Sequence, residues 1–258
     1  MDKEQFKNSL TGRVALITGA ARGIGRATAI ALAEAGADII LGVRNASSAS
    51  NLAEHIRSIG RKVTVAVMDV TDLNQCNSVI KNLIDDISVI DILVNNAGGG
   101  IVDKAIDIKT DDFDFVINLN VKSALFISQQ IAKNLIETQR KGSIINVSSQ
   151  AGLVALPGET SYCLSKAALS HLTRCLAVEW GQQGIRVNAV CPTFIETPGT
   201  QEMLSNPAFR DDTIERIAAL KRLGKPEEVA SAIVFLASPA ASLITGHNLV
   251  IDGGWTVR

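Results

Sequence analysis

Short, continuous apolar runs alternate with longer segments of helical periodicity along almost the whole chain. The first run, Arg13–Thr18, is short and rich in apolar residues, which is typical of a strand buried on both faces. Between Ile24 and Ala35 small and apolar residues recur at helical spacing, and Gly36 then supplies a stop signal. This pattern predicts a β-strand followed directly by an α-helix.

The same alternation continues to the end of the chain. Further strands are predicted at Asp38–Val43, Lys62–Met68, Val89–Val94, Ser143–Val147, Arg186–Val190 and Asn248–Ile251. Further helices are predicted at about Ser48–Ile59, Asp72–Asp86, Asp111–Glu137, Ser161–Gln183 and Glu227–Leu236, the third being either continuous or broken. Strands separated by helices connect through right-handed crossovers, so we predict an α/β fold, a doubly wound parallel sheet covered on both faces.

One long segment breaks this rhythm between the sixth strand and the last helix. Pro192–Lys225 is an insertion, and insertions of this size in a compact domain commonly form lids or binding loops. A length of 258 residues suits one α/β domain, and no stretch resembles a linker. We therefore predict a single domain over 1–258 with a substrate lid at about 193–225.

Charge and hydropathy exclude several classes of function. The chain has 25 Lys and Arg against 26 Asp and Glu, so its net charge of −1 gives no basic field for nucleic acid or an anionic membrane. No uncharged apolar run reaches the ~18 residues of a membrane-spanning helix, and the polar stretch 1–12 does not resemble a signal peptide. We expect a cytoplasmic protein that acts on a small molecule.

The cysteines do not suggest a metal site or a disulfide framework. None of them is paired as C-x-x-C, and the three histidines lie far from them in sequence. Neither the G-x-S-x-G nucleophile elbow nor the phosphate loop G-x-x-x-x-G-K-S/T occurs. We therefore expect no metal, and no serine-hydrolase or P-loop chemistry. The cysteines are Cys76, Cys163, Cys175 and Cys191.

A glycine-rich turn follows the first predicted strand and opens the first helix. It reads Thr18-Gly19-Ala20-Ala21-Arg22-Gly23-Ile24-Gly25. Glycines let backbone amides approach a pyrophosphate closely, and the N-terminus of a helix adds a partial positive charge. The strand–turn–helix context predicts a dinucleotide-binding site.

The spacing of this turn resembles the T-G-x-x-x-G-x-G motif of the short-chain dehydrogenase/reductase family. Other motifs of the family follow in register, and the resemblance extends from Leu10 to the C-terminus. It implies a Rossmann-like oxidoreductase that uses NAD or NADP. The additional motifs are Asn95-Asn96-Ala97-Gly98, Asn118-Leu119-Asn120-Val121, Asn146-Val147-Ser148-Ser149, Tyr162-Cys163-Leu164-Ser165-Lys166 and Asp252-Gly253-Gly254.

The end of the second strand bears on the choice between NADP and NAD. An NAD site requires a carboxylate there, and an NADP site requires a cation. The strand ends Gly42-Val43-Arg44-Asn45 without an acid, and Asp38 lies about 17 Å away at ~3.3 Å per residue. Arg44 can meet a 2′-phosphate and Arg22 can add a second charge, although both could instead be solvated surface residues. We predict NADP, with NAD as the alternative.

The family resemblance also implies a set of cofactor contacts. Asp69, which closes the third strand, matches the adenine-contacting acid of the family, the alternative being a neighbour of a helix N-cap. The family usually has Pro-Gly after the sixth strand, whereas this chain has Pro192-Thr193, so Thr193 is expected to narrow the site or shift the next loop. The implied contacts are Gly19, Arg22, Gly23, Ile24, Gly25, Arg44, Asp69, Val70, Asn96, Ala97, Gly98, Tyr162, Lys166, Ile195 and Thr197.

Tyr162 and Lys166 are the candidate catalytic pair. Tyr162 is the only tyrosine in the chain, and a spacing of four places both residues on one helical face with Cβ atoms ~5–6 Å apart. Ser149 stands at the carboxyl end of a strand, where doubly wound sheets bind ligands. The resemblance implies that Tyr162 is the general acid and base, that Lys166 also binds the nicotinamide ribose, and that Ser149 donates to the substrate oxygen.

Asn120 has two interpretations. The resemblance implies that it holds a water molecule which connects Lys166 to solvent, and the alternative is a structural amide that bends its helix.

The phenol of Tyr162 needs a pKa shift of ~3 units, about 4 kcal/mol, to work near neutral pH. One ammonium ~6 Å away supplies only ~3 kcal/mol at an effective dielectric constant of about 20. We therefore expect the oxidised nicotinamide to supply the rest.

Together these features predict an NADP(H)-preferring, metal-independent oxidoreductase that interconverts a secondary alcohol and a ketone. The charged lid argues against a steroid pocket, and two segments, Asn118–Ser123 and Asp252–Trp255, resemble sugar-acid and polyol dehydrogenases of the family. The alternatives are a 3-oxoacyl-carrier-protein reductase and a nucleotide-sensing regulator without enzyme activity.

The helices Asp111–Glu137 and Ser161–Gln183 carry apolar residues on more than one face, which predicts a homotetramer.

Overall fold

The computed structural model describes residues 8–257. Within them, seven strands form one parallel sheet in the order β3-β2-β1-β4-β5-β6-β7. The predicted α/β, doubly wound parallel sheet is therefore confirmed. The strands are β1 (Val14–Thr18), β2 (Asp38–Val43), β3 (Val63–Val67), β4 (Ile92–Asn95), β5 (Gly142–Val147), β6 (Ile185–Pro192) and β7 (Asn248–Ile251).

Helices cover both faces of this sheet. Short 3₁₀ turns supplement them, and a π-helical turn, Asn118–Lys122, connects two of the helices. Within residues 8–257 no helix is long and apolar enough to cross a membrane. The helices are α1 (Gly23–Glu34), α2 (Ser50–Ser58), α3 (Leu73–Ile87), α4 (Thr110–Ile117), α5 (Ser123–Glu137), α6 (Thr160–Trp180), α7 (Gln201–Leu204), α8 (Pro207–Arg216) and α9 (Pro226–Ala237).

Alternate strand residues fill two separate hydrophobic layers. Ala15 and Ile17 of β1 belong to the layer that α1, α2 and α9 complete, whereas Leu16 belongs to the layer of α3, α5 and α6. Because successive strand side chains point to opposite faces, a strand that is apolar at every position must be covered on both sides. The continuous apolar runs of the sequence are the direct cause of this three-layer arrangement.

The strand order places a crevice at the carboxyl ends of β1 and β4. From β1 the chain builds outward through β2 and β3, and β4 then returns to the other side of β1. Connections that leave neighbouring strands in opposite directions open a crevice at their carboxyl ends, where this fold class binds ligands. Thr18 ends β1 and Asn95 ends β4, so the glycine turn and the Asn-Ala-Gly motif meet at this crevice.

The start of the fourth strand differs from the prediction. The apolar run predicts Val89–Val94, but β4 begins at Ile92. Ile90 is fully buried without forming part of the strand, so the apolar run is longer than the strand itself. The buried Asp91 carboxylate accepts hydrogen bonds from Arg13 Nη1 at 2.8 Å and Arg140 Nη2 at 2.7 Å.

Two further boundaries depend on local geometry. The second predicted helix begins with a 3₁₀ turn, Ala46–Ala49, because Asn45 accepts a hydrogen bond from the backbone N–H of Ser47. The long predicted helix Asp111–Glu137 is interrupted by the π-helical turn. The insertion after β6 contains α7 and α8, and its base is closed by a backbone pairing between Ile195 and Gly224.

Candidate active site

The glycine turn between β1 and α1 forms a cradle made of backbone. Gly19 and Gly23 have φ values of +64° and +53°, in the left-handed region that side chains disfavour. A Cβ on Gly25 would overlap the carbonyl oxygen of Gly19 and lie 2.6 Å from Asn96 Nδ2. The glycines therefore let the turn pack tightly on itself and against Asn96 at the N-terminus of α1, and backbone amides at a helix N-terminus fit the pyrophosphate of a dinucleotide.

Thr18 and Asn96 fix this turn against the neighbouring strand. Thr18 Oγ1 accepts hydrogen bonds from the backbone N–H groups of Asn96 and Ala97, both at 3.0 Å. In return, Asn96 Nδ2 donates to the carbonyl oxygens of Thr18 at 2.9 Å and Gly19 at 3.1 Å. Asn96 is predicted as a cofactor contact, and the structure gives its side chain the additional task of holding the glycine turn.

Gly25→Ala is expected to weaken NADP(H) binding at least ~10-fold, a loss of about 1.4 kcal/mol. The new Cβ would force the backbone of Gly19 and the side chain of Asn96 apart. Equilibrium titration of cofactor fluorescence measures the change. Gly181→Ala is the matched control, because a Cβ at Gly181 meets no atom within 4 Å. Equal affinities for both variants would contradict the proposed cradle.

Ser149, Tyr162 and Lys166 come together beside this cradle. Lys166 is buried, its Nζ lies 5.5 Å from the centre of the Tyr162 ring, and it donates to the carbonyl oxygen of Val147 at 2.8 Å. A Cβ on Gly98 would lie 3.2 Å from this Nζ, so the glycine of the Asn-Ala-Gly motif allows the lysine to reach the crevice. Ser149 Oγ accepts from the backbone N–H of Ala151 at 3.1 Å, which leaves its own proton to donate.

Burial shifts both members of the candidate catalytic pair, Tyr162 and Lys166, toward their neutral forms. It raises the pKa of Tyr162 to about 12, opposed by the Ser149 hydroxyl and reinforced by the charge of Glu159. It also lowers the pKa of Lys166 to about 8. The phenol therefore stays protonated at neutral pH until another positive charge arrives. This agrees with the expectation that the lysine alone is insufficient.

Asn120 lies in the π-helical turn and is almost fully buried. Its Nδ2 donates to the Gly99 carbonyl oxygen and to Ser165 Oγ, both at 2.8 Å, and its Oδ1 accepts from the Gly99 N–H at 3.0 Å. Ser165 Oγ in turn donates to the carbonyl oxygen of Tyr162 at 2.7 Å. The side chain therefore connects the Gly99 loop to α6, and its role in a water relay stays a prediction.

The predicted adenosine end lies at the ends of β2 and β3, which pair up to Val43 and Val67. Arg44 and Arg22 are both exposed. Two hydrogen bonds from Thr71, with the charge of Arg44 contributing, lower the pKa of Asp69. Arg44 and the Asp69 carboxylate therefore lie on the same side of the crevice, and the neighbouring Val70 is buried.

The start of the insertion contacts the glycine turn. A Cβ on Gly23 would lie 3.3 Å from the Cβ and Cγ2 atoms of Thr197, so the Thr197 side chain packs against Gly23. Ile195 is buried, and its carbonyl oxygen accepts from Thr200 Oγ1 at 2.5 Å. Thr193, at the position where the family usually has glycine, has a buried hydroxyl that no donor or acceptor among residues 8–257 reaches.

Two residues at the site are not among the candidates that the sequence indicates. Thr18 belongs to the glycine motif, and its place at the end of β1 is where a hydroxyl can bridge two strands. Glu159 lies next to Tyr162 in the folded chain, and its spacing of three residues from Tyr162 at the start of a helix is the signal that could have found it.

Several known proteins are similar to this chain in sequence and in architecture. A family model described as enoyl-(acyl carrier protein) reductase matches residues 19–256. The chain is 42% identical over 248 residues to the 3-oxoacyl-acyl-carrier-protein reductase of Thermotoga maritima, covering 96% of this chain and 99% of that protein. It is 36% identical over 250 residues to the 2-dehydro-3-deoxy-D-gluconate 5-dehydrogenase of Dickeya dadantii, covering 97% and 98%.

A solved structure with the same architecture carries a bound cofactor. It is a gluconate 5-dehydrogenase from Burkholderia cenocepacia J2315 in complex with NADP and tartrate. The TM-score is 0.93 at 33% sequence identity, and the match covers 100% of both chains. The similarity therefore extends over nearly the whole chain and not only over its motifs.

Proposed function

The chain belongs to the short-chain dehydrogenase/reductase family, and from this membership we propose that it interconverts a secondary alcohol and a ketone with NADP(H). The substrate is a small polar molecule, sugar-derived or a hydroxy acid. The observation that carries the proposal is the grouping of Ser149, Tyr162 and Lys166 beside a glycine cradle that fits a dinucleotide.

In the proposed mechanism each side chain acts at a defined atom. Bound NADP(H) supplies or accepts the hydride at the reacting carbon. The Tyr162 hydroxyl gives its proton to the substrate oxygen in ketone reduction and removes it in alcohol oxidation. Ser149 donates a hydrogen bond to the same oxygen, which stabilises the negative charge that develops there.

Lys166 has two proposed tasks. Its ammonium favours the phenolate of Tyr162 electrostatically, and it binds the hydroxyls of the nicotinamide ribose. With a pKa lowered to about 8, Lys166 is still mainly charged at neutral pH and also able to exchange a proton near that pH. Asn120 would hold the water through which that proton reaches solvent.

The comparisons support a polar substrate without identifying it. Two of the similar proteins act, by name, on gluconate-type compounds, and one of those structures holds tartrate with NADP. A 3-oxoacyl-carrier-protein reductase is the second candidate, because the relative with that activity is 42% identical. A nucleotide-sensing regulator is disfavoured, since the sequence retains the complete Asn120, Ser149, Tyr162 and Lys166 set.

The proposed function is tested by NADPH consumption with a panel of ketones. The panel contains sugar-derived keto acids, small diketones and an acetoacetyl thioester. We expect turnover of a polar ketone, whereas turnover of the thioester alone would favour the second candidate. Tight cofactor binding without turnover of any compound would favour the regulator.

NADPH is expected to bind at least ~10-fold more tightly than NADH, because a charge-assisted contact contributes ~1.5–3 kcal/mol. Arg44 is exposed beside the Asp69 carboxylate and supplies the cation for the 2′-phosphate. Arg44→Ala should narrow the difference in affinity between NADPH and NADH, mainly by weakening the binding of NADPH, as measured by fluorescence titration with both cofactors. Arg57→Ala is the control. Equal affinities for NADPH and NADH in the unmodified protein would refute this role.

We further propose a single domain over 1–258 in which residues 193–225 act as a substrate lid. The contact between Thr197 and Gly23 supports this, since the insertion begins directly over the glycine cradle. The lid also lines an open pocket of about 560 Å³ that has both polar and apolar side chains in its walls. Closure of this segment would exclude water from the reacting atoms.

The proposed assembly is a homotetramer in the cytoplasm. Several large apolar side chains on α4, α5 and α6 remain exposed, which supports an interface on this side of the molecule. All four cysteines are free, as is usual in a reducing compartment. The exposed side chains are Phe115, Phe126, Ile136, Leu164 and Val178.

A further inference from the structure

Glu159 places a carboxylate beside the candidate catalytic tyrosine. It is the residue before α6 and precedes Tyr162 by about one helical turn. A Cβ on Gly100 would lie 3.1 Å from Glu159 Oε2, 3.0 Å from Tyr162 Cβ and 3.1 Å from Tyr162 Cδ2. The carboxylate and the tyrosine side chain therefore both border the backbone of Gly100, which approaches them more closely than a residue with a side chain could.

The backbone of Gly100 does not explain why this position is glycine. Its φ lies outside the left-handed region, so its conformation is accessible to other residues. The missing side chain instead lets the backbone of Gly100 pack closely against Glu159 and Tyr162. Gly100 is also exposed, so this contact lies at the surface of the crevice.

The Glu159 carboxylate has no donor of its own within residues 8–257. No hydrogen bond or ion pair reaches it, although the side chain is half-buried and burial raises its pKa. A partly buried carboxylate without a donor is unfavourable, and such groups in a crevice are characteristic of binding sites. A ligand that carries a donor would remove this cost.

A purely structural role does not account for this arrangement. Glu159 stands at the N-cap position of α6, but its side chain makes no capping hydrogen bond. A favourable interaction with the helix dipole is available to any exposed acid in the first turn. It requires neither burial nor the close approach of Gly100.

We propose that Glu159 binds substrate and selects alcohols and ketones that carry a hydrogen-bond donor, a hydroxyl or an ammonium group, next to the reacting carbon. The inference rests on the proposed function and specifies its substrate class. A donor on the adjacent carbon would point at the carboxylate while the reacting oxygen faces Tyr162. A substrate carboxylate at the same place would be repelled.

Matched alcohols test this selection in the NADP⁺-dependent direction. The probes are cyclohexanol, trans-1,2-cyclohexanediol, trans-2-aminocyclohexanol and trans-2-hydroxycyclohexanecarboxylate, which differ only in the substituent beside the carbinol carbon. We expect kcat/KM to be at least ~10-fold higher for the diol or the amino alcohol than for cyclohexanol, and lowest for the carboxylate. Whichever of the diol and the amino alcohol has the higher kcat/KM shows whether the natural donor is a hydroxyl or an ammonium.

Variants of Glu159 then assign the selection to this side chain. Glu159→Ala should bring the ratio of kcat/KM between the favoured probe and cyclohexanol close to one. Glu159→Gln keeps the shape and should reduce the ratio for the amino alcohol more than for the diol. Glu179 lies near the other end of the same helix, about 30 Å away at ~1.5 Å per residue. The control variant Glu179→Gln should therefore keep the ratio of the unmodified protein. Thermal unfolding verifies that each variant is folded.

A second measurement needs no substrate. Tyr162 is the only tyrosine, so the ultraviolet absorbance of tyrosinate reports its ionisation alone. The charge of Glu159 raises the pKa of Tyr162, so Glu159→Gln should lower that pKa in the NADP⁺ complex and Glu179→Gln should not.

The outcomes separate this inference from the proposed function. If the unmodified protein oxidises the alcohols but Glu159→Ala keeps the same ratios, Glu159 does not select substrate and the proposed function stands. If the unmodified protein turns over no alcohol and no ketone while the tyrosinate titration shifts as expected, the proposed function is overturned, and the selection with it.

Discussion

Tyr162→Phe should lower turnover by ~100-fold or more while NADP(H) affinity changes little, because the variant loses one general acid and base. The substitution removes a single oxygen atom and keeps the ring on which the Lys166 side chain rests. The glycine cradle and its hydrogen bonds to Asn96 lie elsewhere and stay assembled. Steady-state kinetics and fluorescence titration measure the two quantities separately.

The pH dependence of alcohol oxidation provides a second check on Tyr162. Burial raises the pKa of the phenol to about 12, so it is protonated at neutral pH. The positive charge of the oxidised nicotinamide favours the phenolate, and the rate should therefore rise with pH through one ionisation well below pH ~10. Near-normal turnover by Tyr162→Phe would mean that the active site lies elsewhere.

Lys166→Ala should weaken cofactor binding and turnover together, in contrast to Tyr162→Phe. We expect at least a ~10-fold loss of NADP(H) affinity, because a charge-assisted hydrogen bond contributes ~1.5–3 kcal/mol, and a further loss of turnover because the phenolate loses its cation. The same two measurements apply. A decrease in both cofactor affinity and turnover distinguishes a residue with two roles from a residue with a single role.

Two comparison variants make the lysine prediction specific. Lys166 is buried and its Nζ donates to Val147, so Lys166→Ala also leaves a cavity and an unpaired carbonyl oxygen. Lys166→Met fills most of that space without the charge and should show the same pattern of losses. Lys81→Met, on the exposed side of α3, should behave as the unmodified protein. A variant of Lys166 that retains full cofactor affinity would remove the ribose-binding role.

Much of the fold follows from local sequence. The strands Asp38–Val43 and Asn248–Ile251 have the bounds that the sequence predicts, because short apolar runs flanked by polar residues are typical of strands in a covered sheet. The predicted strand Val89–Val94 is too long, since Ile90 is buried without joining the strand. Apolarity reports burial, and the ladder of backbone hydrogen bonds decides where a strand begins.

The candidate site divides in the same way. The spacing of Tyr162 and Lys166 is enough to place both on one helical face, and the glycine turn in its strand–turn–helix context indicates a dinucleotide as its ligand. The interactions of Asn96 with Thr18 and Gly19 depend on β1 and β4 being neighbours, which the order of strands in the chain does not state. The assignment of individual site residues stays a prediction until the variants are measured.

The sequence by itself determined the alternation of strands and helices, the dinucleotide turn and the spacing of the candidate catalytic pair, because each depends on residues close together in the chain. Only the tertiary structure placed Gly100 against Glu159 and Tyr162, and only burial lowered the pKa of Lys166 to about 8. Gly100 lies in an irregular loop without a periodic pattern, and it meets α6 only after the sheet has formed. Contacts between distant segments, and the dielectric environment they create, are properties of the packed chain.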